Sequence, residues 1–370
     1  MITPLTQIVA ILAILPIAHF LKPAGRLVLM SAAGAVLLLL VAPGSAWFIL
    51  LMCIEALVLE AALRGLPKKS MVRQYLPYVL LLNMFYTDIV NGFGLDLATI
   101  SVAFAVIRVF MTTKQLLGLP KTTWRDRVIS LAAGGFFLPV LVVGPVFSGT
   151  TLWAQCKPSS SPASGTTEWL YRKLFSGWIL AALVAPWMTA LAGGTDLARW
   201  TAPLVMLALF GNLFAAFWGQ SLIAEAGAAL AGFTVPQNFN RPWLALDIRD
   251  FWNRWHISMA KFVMQYVFLP LNLRGVPPKI ATASAFVFMG LWHEVEATVF
   301  IVTHSISEAV FLGDRIWIVT PAPGRIGRVF DDVLPNTRDA EPMEVQESTV
   351  FKQVVSEVAH AFRELEGAEP

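Results

Sequence analysis

Charge is scarce in this chain. Asp, Glu, Lys and Arg make up 14% of its 370 residues, roughly half the share in an ordinary soluble domain. The net charge is only +3, and the basic residues are scattered over short loops, so a nucleic-acid partner is not expected. Cysteine is nearly missing. Cys53 falls inside an apolar run and reads as a small core residue, whereas Cys156 falls in a Ser-rich loop. These two residues can build neither a disulfide framework nor a metal centre. No G-x-x-x-x-G-K-[ST] loop occurs anywhere, so the chain carries no phosphate cradle of that kind.

Apolar residues fill the space that charge leaves. They account for 56% of the chain, and the mean hydropathy is +0.65. These values belong to an all-α polytopic membrane protein. Apolar runs of spanning length are expected at 4–21, 27–41, 46–63, 76–90, 97–112, 128–147, 174–191 and 202–223. Two further runs, 257–273 and 280–292, bring the expectation to about nine or ten transmembrane helices. The first run has no positive region before it, and Lys22 and Arg26 follow it in place of a small-residue cleavage site. It reads as a retained helix with His19 at its interfacial end, not as a signal peptide.

Loop charges give an orientation. Lys22 and Arg26 follow the first run, and the loop near 43–45 is uncharged. The next loop holds Arg64, Lys68, Lys69 and Arg73. Asp88 and Asp96 mark the one after, followed by Lys114, Lys121, Arg125 and Arg127. Every second loop is basic, which places these loops in the cytoplasm and the N-terminus outside. If every run crosses, the Ser-rich loop at 148–167 falls outside as well.

Residues 237–294 depart from this plain pattern. QNFNRPWLALDIRDFWNRWHIS mixes Asn238, Asn240, Asp247, Arg249, Asp250, Asn253 and Arg254 with Phe239, Trp243, Phe251, Trp252 and Trp255. The mixture suits an interfacial or re-entrant segment whose backbone is buried in protein or lines a cavity. Two histidines, His256 and His293, stand in this stretch, and titratable groups at membrane depth are functional candidates by default.

NFNRPWLALDIRDFWNRWHISM and the later GLWH resemble the signature of the membrane-bound O-acyltransferases. The nearest branch is the bacterial one that acetylates alginate and D-alanylates teichoic acids. FFLPVLVVGPVFSG at 136–149 is similar to that family's Phe-Pro…Gly-Pro segment, and the resemblance covers about residues 1–294. It implies acyl transfer to a hydroxyl of an extracytoplasmic polysaccharide in the bacterial inner membrane, as in alginate O-acetylation. The donor would be an acyl-CoA or acyl carrier acting as substrate, with no bound cofactor and no metal. Periplasmic acyl-transfer proteins are the implied partners, beside the bilayer and the polysaccharide.

The resemblance assigns the general base to His293, and a neutral imidazole suits that task. His256 would orient the acceptor or stabilise developing charge. Trp255 and Trp292 would wall the site, while Arg249, Arg254 and Asn253 would bind substrate.

After His293 the pattern changes, with Glu294 where the family expects Gly. Residues 295–370 resemble the C-terminal end of an ABC transporter ATPase of the nitrate, sulfonate and taurine type. There ATVFIVTH reads as a strand ending in a switch histidine, His304, and SISEAVFLGDRI as a helix with Glu308 and Asp314. WIVTPAPGRIGRVF reads as two short strands joined by a turn, and 341–366 as a charged amphipathic helix. Without the rest of its domain this α/β fragment would lack a sheet to join, and it could not hydrolyse ATP. Two other readings of the chain follow: an inactive fusion product, and a membrane subunit that contacts a transporter ATPase through its tail.

Overall fold

The computed structural model describes residues 3–84, 99–157, 166–192, 202–294, 306–312, 315–319, 326–331, 333 and 348–366. They form two units, one of Met1–Val184 with Ala215–Ala297 and one of Ala185–Phe214 with Thr298–Pro370.

In the first unit, α1 (Pro4–His19), α2 (Pro23–Val41) and α3 (Pro43–Arg64) each begin with proline in the first turn. The missing N–H would be unpaired there in any case. Of these, α3 packs against α5 (Thr99–Gly118), whose residues 102–113 are all buried; residues 76–82, 124–136 and 149–154 also pack against it. A helix that is apolar on every side is a core element, and α5 is the central post. Four helices are long and apolar enough to cross a membrane among the described residues: Pro23–Val41, Pro43–Arg64, Thr167–Leu191 and Leu207–Leu230. The last two belong to α8 (Thr167–Ile179, continuing through a π turn at Leu180–Val184 into Ala185–Ala192) and α9 (Ala202–Leu230).

The basic loops meet at one end of this unit. Arg64 donates to Leu116 O at 2.9 Å, and Arg73 donates to Leu117 O at 2.6 Å. Arg127 lies 3.4 Å from Glu60, a buried carboxylate that also pairs with Arg64. This basic end is the reference level for every other element.

Three expected spans differ in the structure, the third being 257–273, which forms the return of the hairpin 231–274 described below. The run at 76–90 begins as a short helix, α4 (Met71–Tyr75), followed by a 3₁₀ turn at Leu76–Leu82, and 85–90 lie outside the described residues. The run at 128–147 does not cross. Helix α6 (Trp124–Phe136) rises about 18 Å from the basic end, roughly half the thickness of a bilayer core. It then gives way to a 3₁₀ turn at Leu138–Val140 and an irregular return to α7 (Gly149–Ala154). That return ends at the level where the segment began. Thr150 Oγ1 donates to Gln115 at 2.5 Å, and the Trp153 indole donates to Asp126 at 2.9 Å. Gln155 exchanges two hydrogen bonds with Thr234, at 2.7 and 2.8 Å.

Residues 148–157 therefore share the end of the basic loops, which corrects the expectation that this loop lies opposite them. Composition misleads here because a re-entrant hairpin is as apolar as a spanning helix. Irregular backbone at such depth must be met by protein groups, and these are present. Gln7 donates to Pro139 O at 2.9 Å, Arg108 Nε to Gly134 O at 2.8 Å, and Gly149 N to Thr112 Oγ1 at 2.8 Å. Gln7 and Arg108 are fully buried. Two glycines allow the approach. A Cβ on Gly34 would lie 1.9 Å from Phe136 O, and one on Gly149 would lie 1.9 Å from Ser130 O.

Residues 231–274 form a second hairpin from the same end. At its base, a Cβ on Gly232 would lie 2.6 Å from the Arg26 guanidinium. At its far end, Arg274 stacks 3.8 Å from the Tyr75 ring. Between them lie α10 (Ile248–Arg254) and α11 (Ile257–Val263, with a π turn at Met264–Phe268 and a last turn at Leu269–Asn272). Helix α12 (Pro278–Glu294) then rises again and carries His293 within its last turn.

In the second unit, β1 (Arg315–Val319) pairs antiparallel with β2 (Ile326–Asp331), with Trp317 opposite Val329. Ile316 and Ile318 of β1 pack with Val310 of α13 (Ile306–Leu312) and with Phe351, Val358 and Ala361 of α14 (Thr349–Glu366). The two strands expected to follow one another through a turn pair with each other, and the fragment has a small core of its own, where an apolar face without a partner was expected. The expected strand ending at His304, and Asp314, lie outside the described residues, as does the side chain of Glu308.

Candidate functional site around His256

The tip of the second hairpin holds the site. His256 precedes α11 and adopts φ 42, ψ 49, the left-handed region. For a residue with a Cβ this conformation costs roughly 1–2 kcal/mol. It persists only where the surroundings fix it, which marks functional positions. The surroundings here are specific. Asn240 N donates to Arg254 O at 2.9 Å, and Ile257 N donates to Asn238 O at 2.9 Å, so backbone hydrogen bonds bracket His256 on both sides.

The imidazole is 6% exposed and sits among aromatic rings. Phe217 meets it edge-on at 4.7 Å and Phe104 at 6.2 Å. Phe239 packs on Phe217 at 4.9 Å and on Trp255 at 5.1 Å, and Trp255 stacks on Phe251 at 5.5 Å. Phe104 lies about 21 Å above the Gly118 end of α5, and Phe217 about 20 Å above the Leu230 end of α9. Two independent helices therefore set His256 at the same height. The backbone of His293 stands about 22 Å along α12 from Pro278, which begins near the basic end. Helix α12 packs on α11, with Phe288 5.7 Å from Phe262, and the His293 and Trp292 side chains lie outside the described residues.

The other expected residues divide. Trp255 is part of the ring cluster. The Arg254 charge is tied to Asp250 at 2.8 Å, and its Nη1 is 3.4 Å from Asn240 O. Asn253 is exposed. The Arg249 side chain and all of His304 lie outside the described residues.

A cleft of about 620 Å³ backs onto this cluster. Trp169, Lys173 and Leu180 of α8, Trp218 of α9, and Phe239 and Arg241 of the hairpin line it, among others. Its inner wall, Phe239, is separated from His256 by the single ring of Phe217. Arg172 and Lys173 add cations to its rim, paired with Glu168 at 2.7 Å and Glu225 at 2.5 Å.

The family model described as MBOAT, membrane-bound O-acyltransferase family, matches residues 129–314, half of the chain. The chain belongs to the membrane-bound O-acyltransferase family. The matched segment contains the second hairpin, all but the first five residues of the first, and both histidines, and it runs past Glu294.

Curated relatives agree. The "Probable alginate O-acetylase AlgI" of Pseudomonas aeruginosa is 30% identical over 181 residues, 46% of this chain and 34% of that protein. A peptidoglycan O-acetyltransferase of Helicobacter pylori is 26% identical over 172 residues, 42% of this chain and 32% of that protein. A teichoic acid D-alanyltransferase of Bacillus subtilis is 32% identical over 91 residues, 22% of this chain and 23% of that protein. The chain spans about a quarter to a third of the length of these relatives.

Several residues that support this candidate site were not singled out individually in the sequence. Lys173, Ser221, Glu225 and Ser258 form the polar support under the hairpin. Glu225 was the legible one, as the lone carboxylate in the otherwise apolar run of α9.

Proposed function

We propose that this membrane protein moves an acyl group, in the first instance acetyl, from a thioester donor to a hydroxyl of an extracytoplasmic polysaccharide. The observation that carries the reading is the placement of His256. It is held in a strained conformation within an aromatic cluster, at the start of the helix on which α12, the bearer of His293, packs. In this reading the acceptor oxygen attacks the acyl carbonyl while the His293 imidazole takes its proton. The new C–O ester bond replaces the C–S bond, and the proton passes to the departing thiolate. His256 orients the acceptor or stabilises charge on the acyl oxygen. The surrounding rings keep water from competing as a nucleophile.

The basic end faces the cytoplasm by the positive-inside rule, which puts the N-terminus outside a bacterial inner membrane. The donor, an acyl-CoA or acyl carrier, would then arrive on the side of the basic loops. The cations at the rim of the cleft suit its phosphate groups. The acceptor, and proteins that pass the acyl group onward, would sit on the far side.

Acyl ester content of cellular exopolysaccharide tests this reading in a deletion strain complemented with the wild type, His293→Ala or His256→Ala. We expect the wild type to raise ester content well above the deletion strain and each variant to return it close to that level. Equal ester content in wild type and His293→Ala would remove the assigned base.

A further inference from the structure

Asn238 is buried where three parts of the first unit meet, and each of its polar groups is engaged. Its backbone N–H donates to Glu225 Oε1 at 3.2 Å, and its Nδ2 donates to Ser221 Oγ at 3.1 Å. Its Oδ1 accepts the Ser258 hydroxyl, and its carbonyl accepts Ile257 N at 2.9 Å. Ser258 Oγ in turn accepts Val146 N from the return strand of the first hairpin, at 2.8 Å. The second oxygen of Glu225 meets Lys173 Nζ at 2.5 Å. The Lys173 ammonium also lies 5.0 Å from the Trp169 ring, and both residues line the cleft.

A chain of contacts therefore runs from the cleft wall to Ile257 and Ser258, the two residues that follow His256. Its order is Lys173, Glu225, Asn238, Ser258. A left-handed histidine needs such a frame, because the relaxed backbone is lower in energy and would swing the ring away. Buried polar networks of this kind fix one geometry when every member is satisfied.

We propose that Asn238 is a positioning residue for acyl transfer, holding His256 in its left-handed conformation, and that Lys173, Glu225 and Ser258 complete the clamp. The inference rests on the reading of His256 as a participant in the reaction. None of the four residues touches the reacting atoms in this scheme. They act through the orientation of the imidazole, and a displacement of about 1 Å at such a group can cost about 100-fold in rate.

The test compares initial rates of exopolysaccharide acylation after induction, each divided by the amount of folded enzyme from fluorescence-detected size exclusion. Asn238→Ala and Ser258→Ala should each lower the rate per folded molecule by about 10- to 100-fold. Ser258→Thr keeps the hydroxyl and should restore it to within about threefold. The double variant Asn238→Ala/Ser258→Ala should be no slower than the slower single one, because both break the same clamp. Should Asn238→Ala fail to fold, the Ser258→Ala and Ser258→Thr pair carries the test. Full rates per folded molecule in Asn238→Ala or Ser258→Ala, with His256→Ala inactive, would overturn the clamp alone. Full activity in His256→Ala would overturn the reading of His256 and the clamp together.

Discussion

The two re-entrant hairpins enter from the same end, and they are built on opposite principles. The first, 124–157, is closed by small residues. Gly34 and Gly149 let backbones approach to a distance no Cβ would allow, and its tip carbonyl at Pro139 is met by Gln7. Its tip, from Phe137 to Phe147, has no titratable side chain. The second, 231–274, is held by side-chain hydrogen bonds and carries strain, with Arg241 and His256 both at positive φ. Its exposed Trp243, Leu246 and Trp252 are not drawn into the core. On the proposed function the first hairpin serves mainly packing and the second the placement of His256, joined at the Val146–Ser258 hydrogen bond.

Substitution should pull the two apart. The largest effect belongs to the second hairpin. His256→Gly is expected to lower acylation by about 100-fold or more. Glycine tolerates the left-handed conformation, so the melting temperature in detergent should stay level or rise. A matching fall in melting temperature would show that His256 is a packing residue. In the first hairpin the pattern reverses. Gly149→Ala or Gly34→Ala should cost about 2–4 kcal/mol of stability through backbone overlap, visible as loss of monodisperse protein. The remaining folded molecules should keep their rate, and a selective loss of rate would erase the division of labour.

The level at which the first hairpin returns is a sharper, smaller test. Lys157→Cys and Lys121→Cys should react with an impermeant maleimide from the same side of the membrane. Labelling from opposite sides would restore a crossing at 128–147. The smallest effect concerns Cys156 itself. Burial pushes its thiol up to about 11, partly offset by the neighbouring Arg26. The thiolate is the reactive form. Alkylation should therefore quicken about tenfold per pH unit from pH 7 towards pH 10, and Arg26→Gln should slow it. A rate that levels off near pH 8.5 would mean an unperturbed thiol.

How much of this was readable beforehand varies by element. The RWHIS stretch announced itself because its polar residues have no reason to lie in an apolar chain; the mixture suited an interfacial or re-entrant segment, and the structure folds it as a hairpin of short helices and irregular backbone. The tail's helix, two strands and final helix lie close to where the resemblance implied them, with Arg315 and Ile316 in the first strand and not in the helix. The first hairpin was hidden because hydropathy measures burial in something apolar and cannot tell lipid from protein. Pro139 and the Gly144–Pro145 pair were the available clues, since neither suits a continuous helix. The clamp was hidden for a different reason. Lys173, Glu225 and Ser258 are far apart in sequence, and only the packing of α8 against α9 brings the first two within 2.5 Å.

The hairpins also have a consequence for biogenesis. Neither can be sorted by a single translocation event, since each begins and ends at one face. The groups that receive the first tip, Gln7, Gly34, Arg108 and Thr112, are all synthesised before it. Those that receive the second, Phe104, Val146, Ser221 and Glu225, also precede it on the ribosome. Each loop therefore emerges to find much of its berth already laid, while the Val146 N–H waits for Ser258 and the Gln155 amide for Thr234.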